Sequence, residues 1–163
     1  ATARVTNWNH VRTIVFYGVT FTSKPTIKLS GNIYDEAGNY KVYVAETHKS
    51  FCIICGNHMS GGAVNVTLTI SGTAYQSASA AGIVTKNGTF QADIKNWNGG
   101  TQNVNYGARY KDLPTVTYYD ADNVSHGYNV SIKNKSTTGC AISWSCQTGG
   151  ASHVLGWVSE GNV

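Results

Sequence analysis

Charge is scarce in this sequence. Only 12% of its 163 residues are Asp, Glu, Lys or Arg, about half the share in an ordinary soluble domain. A surface with so few charges is either built from Gly, Ser, Thr, Asn and Tyr or covered by neighbours, and both are expected. The net charge is +4, yet the twelve Lys and Arg residues are scattered, with Arg109 and Lys111 the densest group and Lys133 and Lys135 later. Without a basic run or a helix to carry one, there is no concentrated footprint for phosphates, so nucleic acid is not an expected partner. No apolar run approaches the roughly 20 residues that span a bilayer, and membrane insertion is not expected. No window carries a capped 3.6-residue apolar period, so helices are not expected.

Instead there is a repeat. Ala3-Arg4-Val5-Thr6-Asn7-Trp8-Asn9 returns as Ala92-Asp93-Ile94-Lys95-Asn96-Trp97-Asn98, 89 positions later. At the same shift Val15, Tyr17 and Gly18 match Val104, Tyr106 and Gly107, Phe21 matches Tyr110, and Pro25-Thr26-Ile27 matches Pro114-Thr115-Val116. One residue is lost between Asp120 and Gly127, and the shift becomes 88. Tyr40, Val42, Cys52 and Ile54 then match Tyr128, Val130, Cys140 and Ile142, and Val66 and Ser71 match Val154 and Ser159. A period this long predicts two copies of a small domain rather than a solenoid. Each copy has fewer than about 80 residues, a size at which a lone core is marginal, so each should lean on its twin or on other chains. The first copy begins abruptly at residue 1, inside the motif, and the chain is expected to be a piece of a longer one.

Within each copy the pattern is that of strands. Thr13–Phe16 is apolar and β-branched, Thr26–Leu29 starts at Pro25, and Tyr40–Val44 and Tyr128–Ile132 alternate. Cys140, Ile142 and Trp144 alternate with Ala141, Ser143 and Ser145, which assigns the first set to the core and, by the repeat, Cys52 and Ile54 too. Phe51, Ile53 and Cys55 are then apolar on an outer face where the twin is polar, and something is expected to cover them. Val64–Ser71 and His153–Ser159 close the two copies. Between the copies, Ile83–Thr85 and Thr89–Gln91 flank Lys86-Asn87-Gly88, a hairpin turn signal. The fold class expected is all-β, with two tandem antiparallel β-sandwiches of about six strands each, over residues 1–80 and 81–163, the latter including the linker hairpin.

The cysteines are Cys52, Cys55, Cys140 and Cys146. On a strand, Cys52 and Cys55 point to opposite faces, while Cys140 and Cys146 share a face but lie too far apart to bond. They read as buried thiols. Cys52, Cys55 and His58 suggest a metal or haem site, but His58 is too distant for a haem motif, a strand splits the three between faces, and the twin gives Cys140, Ser143 and Cys146. No metal or cofactor is expected. Asp120-Ala121-Asp122-Asn123 opens like a calcium loop without its Gly and terminal Glu. It is a polar turn or a ligand-binding loop. No pair of carboxylates recurs in register, and there is no Gly-x-Ser-x-Gly, so catalysis is not expected. Among the ten tyrosines, those matched between copies (Tyr17 with Tyr106, Tyr40 with Tyr128) read as structural, as do Trp8 and Trp97. Tyr34, Tyr118 and Tyr119, beside the loops that differ, read as binding candidates, since aromatic faces stack on sugar rings.

The order of these features resembles the H-type lectin fold. The second copy gives Tyr110-Lys111-Asp112-Leu113-Pro114-Thr115-Val116, the variable loop Asp120–His126, the strand Tyr128–Ile132, then Thr138-Gly139-Cys140 and Val154-Leu155-Gly156-Trp157. The first gives Phe21–Pro25, Tyr40–Val44, Ser50-Phe51-Cys52 and Val64–Ser71. The resemblance implies a small antiparallel sandwich that trimerises and binds sugars through loops, in modules like those of phage tail fibres. Cys140 stands where that family has an aromatic, and Thr69 matches Trp157, so no sugar specificity carries over. The expected function is non-enzymatic recognition of a cell-surface glycan by a homotrimeric receptor-binding module, on a virion or outside a cell. A fibre spacer and a polysaccharide depolymerase are the alternatives. The expected contacts are Tyr34, Asp35 and His58 in the first copy, and Tyr119, Asp120, Asp122 and His126 in the second.

Overall fold

A computed structural model of the protein describes residues 1–6, 11–31, 33, 40–58, 63–76, 82–92, 99–122, 128–146 and 153–163, leaving aside the side chains of residues 6, 40, 57, 58, 128 and 146. Among the described residues every regular element is a strand. In chain order they are β1 (Thr2–Thr6), β2 (Arg12–Phe16), β3 (Thr26–Gly31), β4 (Tyr40–Thr47), β5 (Phe51–His58), β6 (Ala63–Ser71), β7 (Ile83–Ala92), β8 (Gly100–Asn105), β9 (Thr115–Asp120), β10 (Tyr128–Lys133), β11 (Gly139–Cys146) and β12 (His153–Asn162). The chain divides into two compact units, Ala1–Ala81 and Gly82–Asp122 with His126–Val163.

Each unit holds two three-stranded antiparallel sheets. Unit one pairs β1-β6-β3 and β2-β5-β4, and unit two pairs β7-β12-β9 and β10-β11-β8. The duplication extends to the ladders. Arg12 faces Cys55 and Val15 faces Cys52 in unit one, while Thr101 faces Ser143 and Val104 faces Cys140 in unit two. Tyr40 faces His58 as Tyr128 faces Cys146. In both units a central strand (β5, β6, β11 or β12) is flanked by two edge strands. Both prolines stand one residue ahead of an edge strand, β3 or β9, where a missing backbone donor costs least.

The cores follow the expected alternation. Val42, Cys52 and Ile54 of one sheet meet Val5, Val66 and Leu68 of the other in unit one. In unit two Val104, Cys140 and Ile142 meet Trp157, with Tyr106 and Tyr110 beside them. A T-shaped aromatic pair sits in each: Tyr17 on Phe21 at 5.6 Å and Tyr106 on Tyr110 at 5.7 Å. In each, a buried tyrosine hydroxyl faces a cysteine sulfur, Tyr17 with Cys52 and Tyr106 with Cys140. Cys52, Cys55 and Cys140 are buried thiols outside any disulfide. The outer set of β5 is covered as expected, with Phe51, Ile53 and Cys55 at 0%, 0% and 3% exposure.

Two expectations fail. Lys86-Asn87-Gly88 makes no hairpin: β7 runs unbroken through it, paired with β12 from Ile83 opposite Asn162 to Ala92 opposite His153. Gly88 is small for another reason. A Cβ there would come within 2.8 Å of the Trp157 indole, which lies over it. The ten-residue ladder and the aromatic lid override the local turn signal. The second failure concerns the last strand. Leu29 faces Leu68, and Tyr118 faces Trp157. Leu68, not Thr69, therefore stands where unit two has Trp157. Gly72 under Phe21 and Gly161 under Tyr110 agree with this shift of 89. The residue lost after β9 is restored before β12.

Candidate functional site

The side chains expected at a binding loop do not gather in one place. Tyr34, Asp35 and His126 lie outside the described residues. His58 ends β5 opposite Tyr40, and its side chain lies outside them too. Tyr119 and Asp120 are successive residues of β9 and point to opposite faces. Tyr119 lies across Gly156, whose added Cβ would meet the ring at 2.2 Å. Burial raises the pKa of its phenol. Asp120 shares the inner side with Leu155 and is buried at 6% exposure. Asp122 reaches back to β12: its carboxylate accepts from the Val154 N–H at 3.1 Å and lies 3.2 Å from His153 Nδ1. The Ala121 N–H donates to the Val154 carbonyl at 3.0 Å. The Asp120–Asp122 stretch is thus a tied-down polar turn, with a carboxylate and an imidazole half-exposed at its edge.

A second arrangement emerges from comparing the turns that lead into β5 and β11. Their backbones agree bond for bond. His48 N–H donates to Phe51 O at 2.9 Å, and Ser136 N–H to Gly139 O at 2.8 Å. Tyr17 N–H donates to Ser50 O at 3.0 Å, and Tyr106 N–H to Thr138 O at 2.9 Å. Phe21 N–H donates to Lys49 O, and Tyr110 N–H to Thr137 O, both at 2.9 Å. Their side chains share nothing. In unit one His48 stacks on Phe51 with centroids 4.3 Å apart and planes 14° apart, and Phe16 tilts against the same ring. Glu46 is bonded to Arg12 and lies 3.0 Å from His48. The outer face is filled.

In unit two the matching positions are Asn105 for Phe16, Asn134 for Glu46, Ser136 for His48 and Gly139 for Phe51. Removing three rings and a carboxylate opens a shallow cleft of about 290 Å³ over β8, β11 and the turn. Asn103, Asn105, Asn134, Ser136 and Thr138 supply its polar lining, and Gly139, Cys140 and Ala141 lie beneath. Gly139 has no room for a side chain, because a Cβ would fall 2.3 Å from the Val104 carbonyl oxygen. The rim is held in place. Ser136 Oγ accepts from the Thr138 and Gly139 N–H groups at 3.2 and 3.0 Å, and donates to Gly139 O at 2.9 Å. Asn134 takes a positive φ of 50°, a conformation asparagine tolerates better than most residues. Asn105 Oδ1 accepts from the Gly107 N–H at 2.8 Å, which fixes its amide.

No family model, curated protein or solved structure matches this chain.

The cleft's chemistry therefore stands on its own residues. Three amides and two hydroxyls, all uncharged, offer both donors and acceptors to a ligand that carries both. No group of three or more His, Cys, Asp or Glu that could hold a metal occurs among the described residues. Burial raises the Cys140 thiol pKa, so it sits below the cleft as a neutral apolar surface and not as a nucleophile. Sequence reasoning missed this place because its mark is a loss. Only alignment of Phe51 with Gly139 and His48 with Ser136 points to it, and neither Gly nor Ser at a turn is remarkable alone.

Proposed function

We propose that the protein is a non-enzymatic receptor-binding module that recognises a cell-surface glycan, and that unit two carries the recognition. The observation behind this reading is the uncharged, amide- and hydroxyl-lined cleft, opened where the duplicate face is packed shut. A sugar presents vicinal hydroxyls that donate and accept at once. Asparagines carried on a strand and a hydrogen-bonded turn, with the Asn105 amide fixed by the Gly107 N–H, match them without the cost of ordering a flexible loop. Unit one, with its equivalent face filled by His48 and Phe51, suits the role of a spacer in the same fibre. The marginal size of each unit and the low charge favour a homotrimer, as in a phage tail fibre or a similar extracellular adhesin. Tyr119, Asp122 and His153 would then form a second, smaller contact on the β9–β12 edge.

A glycan array tests the reading, run on the protein, on Asn103→Ala with Asn134→Ala, and on Asp120→Ala with Asp122→Ala. Loss of signal in the first variant with retention in the second is expected. Loss only in the second would move the site to the β9 turn, and an array with no hit would favour the spacer role for both units. Light scattering that gave a stable monomer at micromolar concentration would remove the trimer.

A further inference from the structure

The cations that look scattered along the sequence are gathered by the fold. Tyr110 N–H bonds the Thr137 carbonyl, which brings the loop carrying Arg109 and Lys111 against the turn carrying Lys135. Lys133 pairs with Ala141 across β10 and β11, so it stands on the cleft's own face, one strand away from its floor. All four cations are exposed, and none makes an ion pair among the described residues. The charge of Lys135 reaches the Cys140 thiol beneath the cleft, pulling its pKa down against the larger upward push of burial. The face itself holds no described carboxylate; Asp112 lies in the neighbouring loop, and the charge of Glu160 reaches Tyr110 between Arg109 and Lys111.

Unit one does not share this arrangement. The positions equivalent to Arg109, Lys111, Lys133 and Lys135 are Thr20, Thr22, Ala45 and Thr47. Its face keeps a carboxylate, Glu46, where unit two has Asn134, and neutralises it with Arg12. At those four positions cations stand only in unit two, whereas unit one carries Arg12, Lys41 and Lys49 where unit two has Thr101, Asn129 and Thr137; the carboxylate is absent only beside the open cleft. Unpaired ammonium groups beside an uncharged cleft attract anions and leave neutral molecules unaffected.

We infer that the ligand of this cleft is an acidic glycan, whose sugar hydroxyls meet the asparagine amides while its carboxylate or sulfate groups meet Lys133 and Lys135. The inference rests on the cleft being a glycan site, and it adds the charge of the ligand. The test compares a uronate-containing oligosaccharide with its carboxyl-reduced, neutral counterpart by calorimetry on the whole protein. A sulfated oligosaccharide and a single-stranded oligodeoxynucleotide of equal charge are run alongside. At about 0.01 M salt, where charges act over about 30 Å, the uronate should bind about tenfold tighter than its neutral form, and the advantage should vanish near 1 M salt. Tighter binding of the sulfated than of the carboxylated sugar would assign the anion as sulfate. Lys133→Gln with Lys135→Gln should remove most of the advantage. Arg109→Gln with Lys111→Gln should reduce the advantage in part, with both variants keeping the parent's denaturation midpoint. Equal binding of acidic and neutral forms would overturn the inference and leave the glycan reading intact. Binding of neither would sink both. An oligonucleotide bound as tightly as the uronate would show that charge alone is read, and would overturn the sugar component.

Discussion

Tyr110 and Ser159 test whether the core of unit two is wired as its geometry states. Both are buried, at 2% and 0% exposure, with the phenol oxygen 2.9 Å from Ser159 Oγ. Their other contacts are long: the phenol to the Ser159 carbonyl at 3.4 Å, and Ser159 Oγ to the Lys86 carbonyl at 3.5 Å. Tyr110→Phe strands the serine hydroxyl, and Ser159→Ala strands the phenol. Each should cost about 1–2 kcal/mol, since a buried group left without a partner loses its full desolvation energy. The double variant removes both polar groups and keeps most of the shape, so it should lose under about 1 kcal/mol, a coupling of about 1–3 kcal/mol. Unit one provides the natural precedent, with Phe21 and Ile70 at the same two positions. Urea unfolding followed by tryptophan fluorescence measures the cycle, and each single variant should also lower Tm by about 4–8 °C per kcal/mol. A double variant that loses the sum of the singles would refute the argument, because the two hydroxyls would then be satisfied independently.

Three other outcomes follow from the same structure. Gly88→Ala drives a methyl group into the Trp157 indole and should destabilise by about 1–3 kcal/mol; an unchanged urea midpoint would show that the ring can move aside. Cys52, pushed up to about 11 by burial, should resist alkylation at neutral pH until the protein is unfolded; modification of Cys52 in the folded state, located by peptide mass mapping, would contradict its burial. Burial also raises the pKa of Cys140 and Tyr106, so with Cys52 the folded state holds these protons more tightly than the unfolded chain. That stability is fully present below the unfolded thiol value of 9.0 and is lost as pH rises through about 11; unfolding midpoints that stay flat from neutral pH to above 11 would refute it.

Much of the fold was legible because duplication lets one copy correct the other. Phe51–Gly56 is apolar on both faces and gives no inward side by itself, whereas Ala141, Ser143 and Ser145 mark the outer face in its twin. Pro25 marked one strand start, and the repeat carries it to Pro114. What escaped was set by distant neighbours. Lys86-Asn87-Gly88 has every local feature of a turn, and only the opposing β12 ladder and the Trp157 ring hold it straight. The one-residue shift of β12 was hidden because Val66 with Val154 and Ser71 with Ser159 match by type in the wrong register. The cleft escaped because it is made of missing atoms, and its cationic rim because Arg109 and Lys135 become neighbours through a backbone hydrogen bond that no spacing reveals.

The sheets are narrow, and this bears on how the protein avoids sticking to itself. A three-stranded sheet has two outer rails of unpaired amides and carbonyls for every buried strand, each a template for another chain. The central strands β5, β6, β11 and β12 carry no Lys or Arg, whereas β1, β2, β3, β4, β7 and β10 each carry one: Arg4, Arg12, Lys28, Lys41, Lys86 and Lys133. A cation that must be desolvated before a foreign strand can dock is an effective guard in a chain with so little charge to spread. Two rails, β8 and β9, have no such guard, and both belong to unit two. Lateral growth in concentrated solution would begin there, and a lysine placed on the solvent side of β8 would be the first remedy for a preparation that gels.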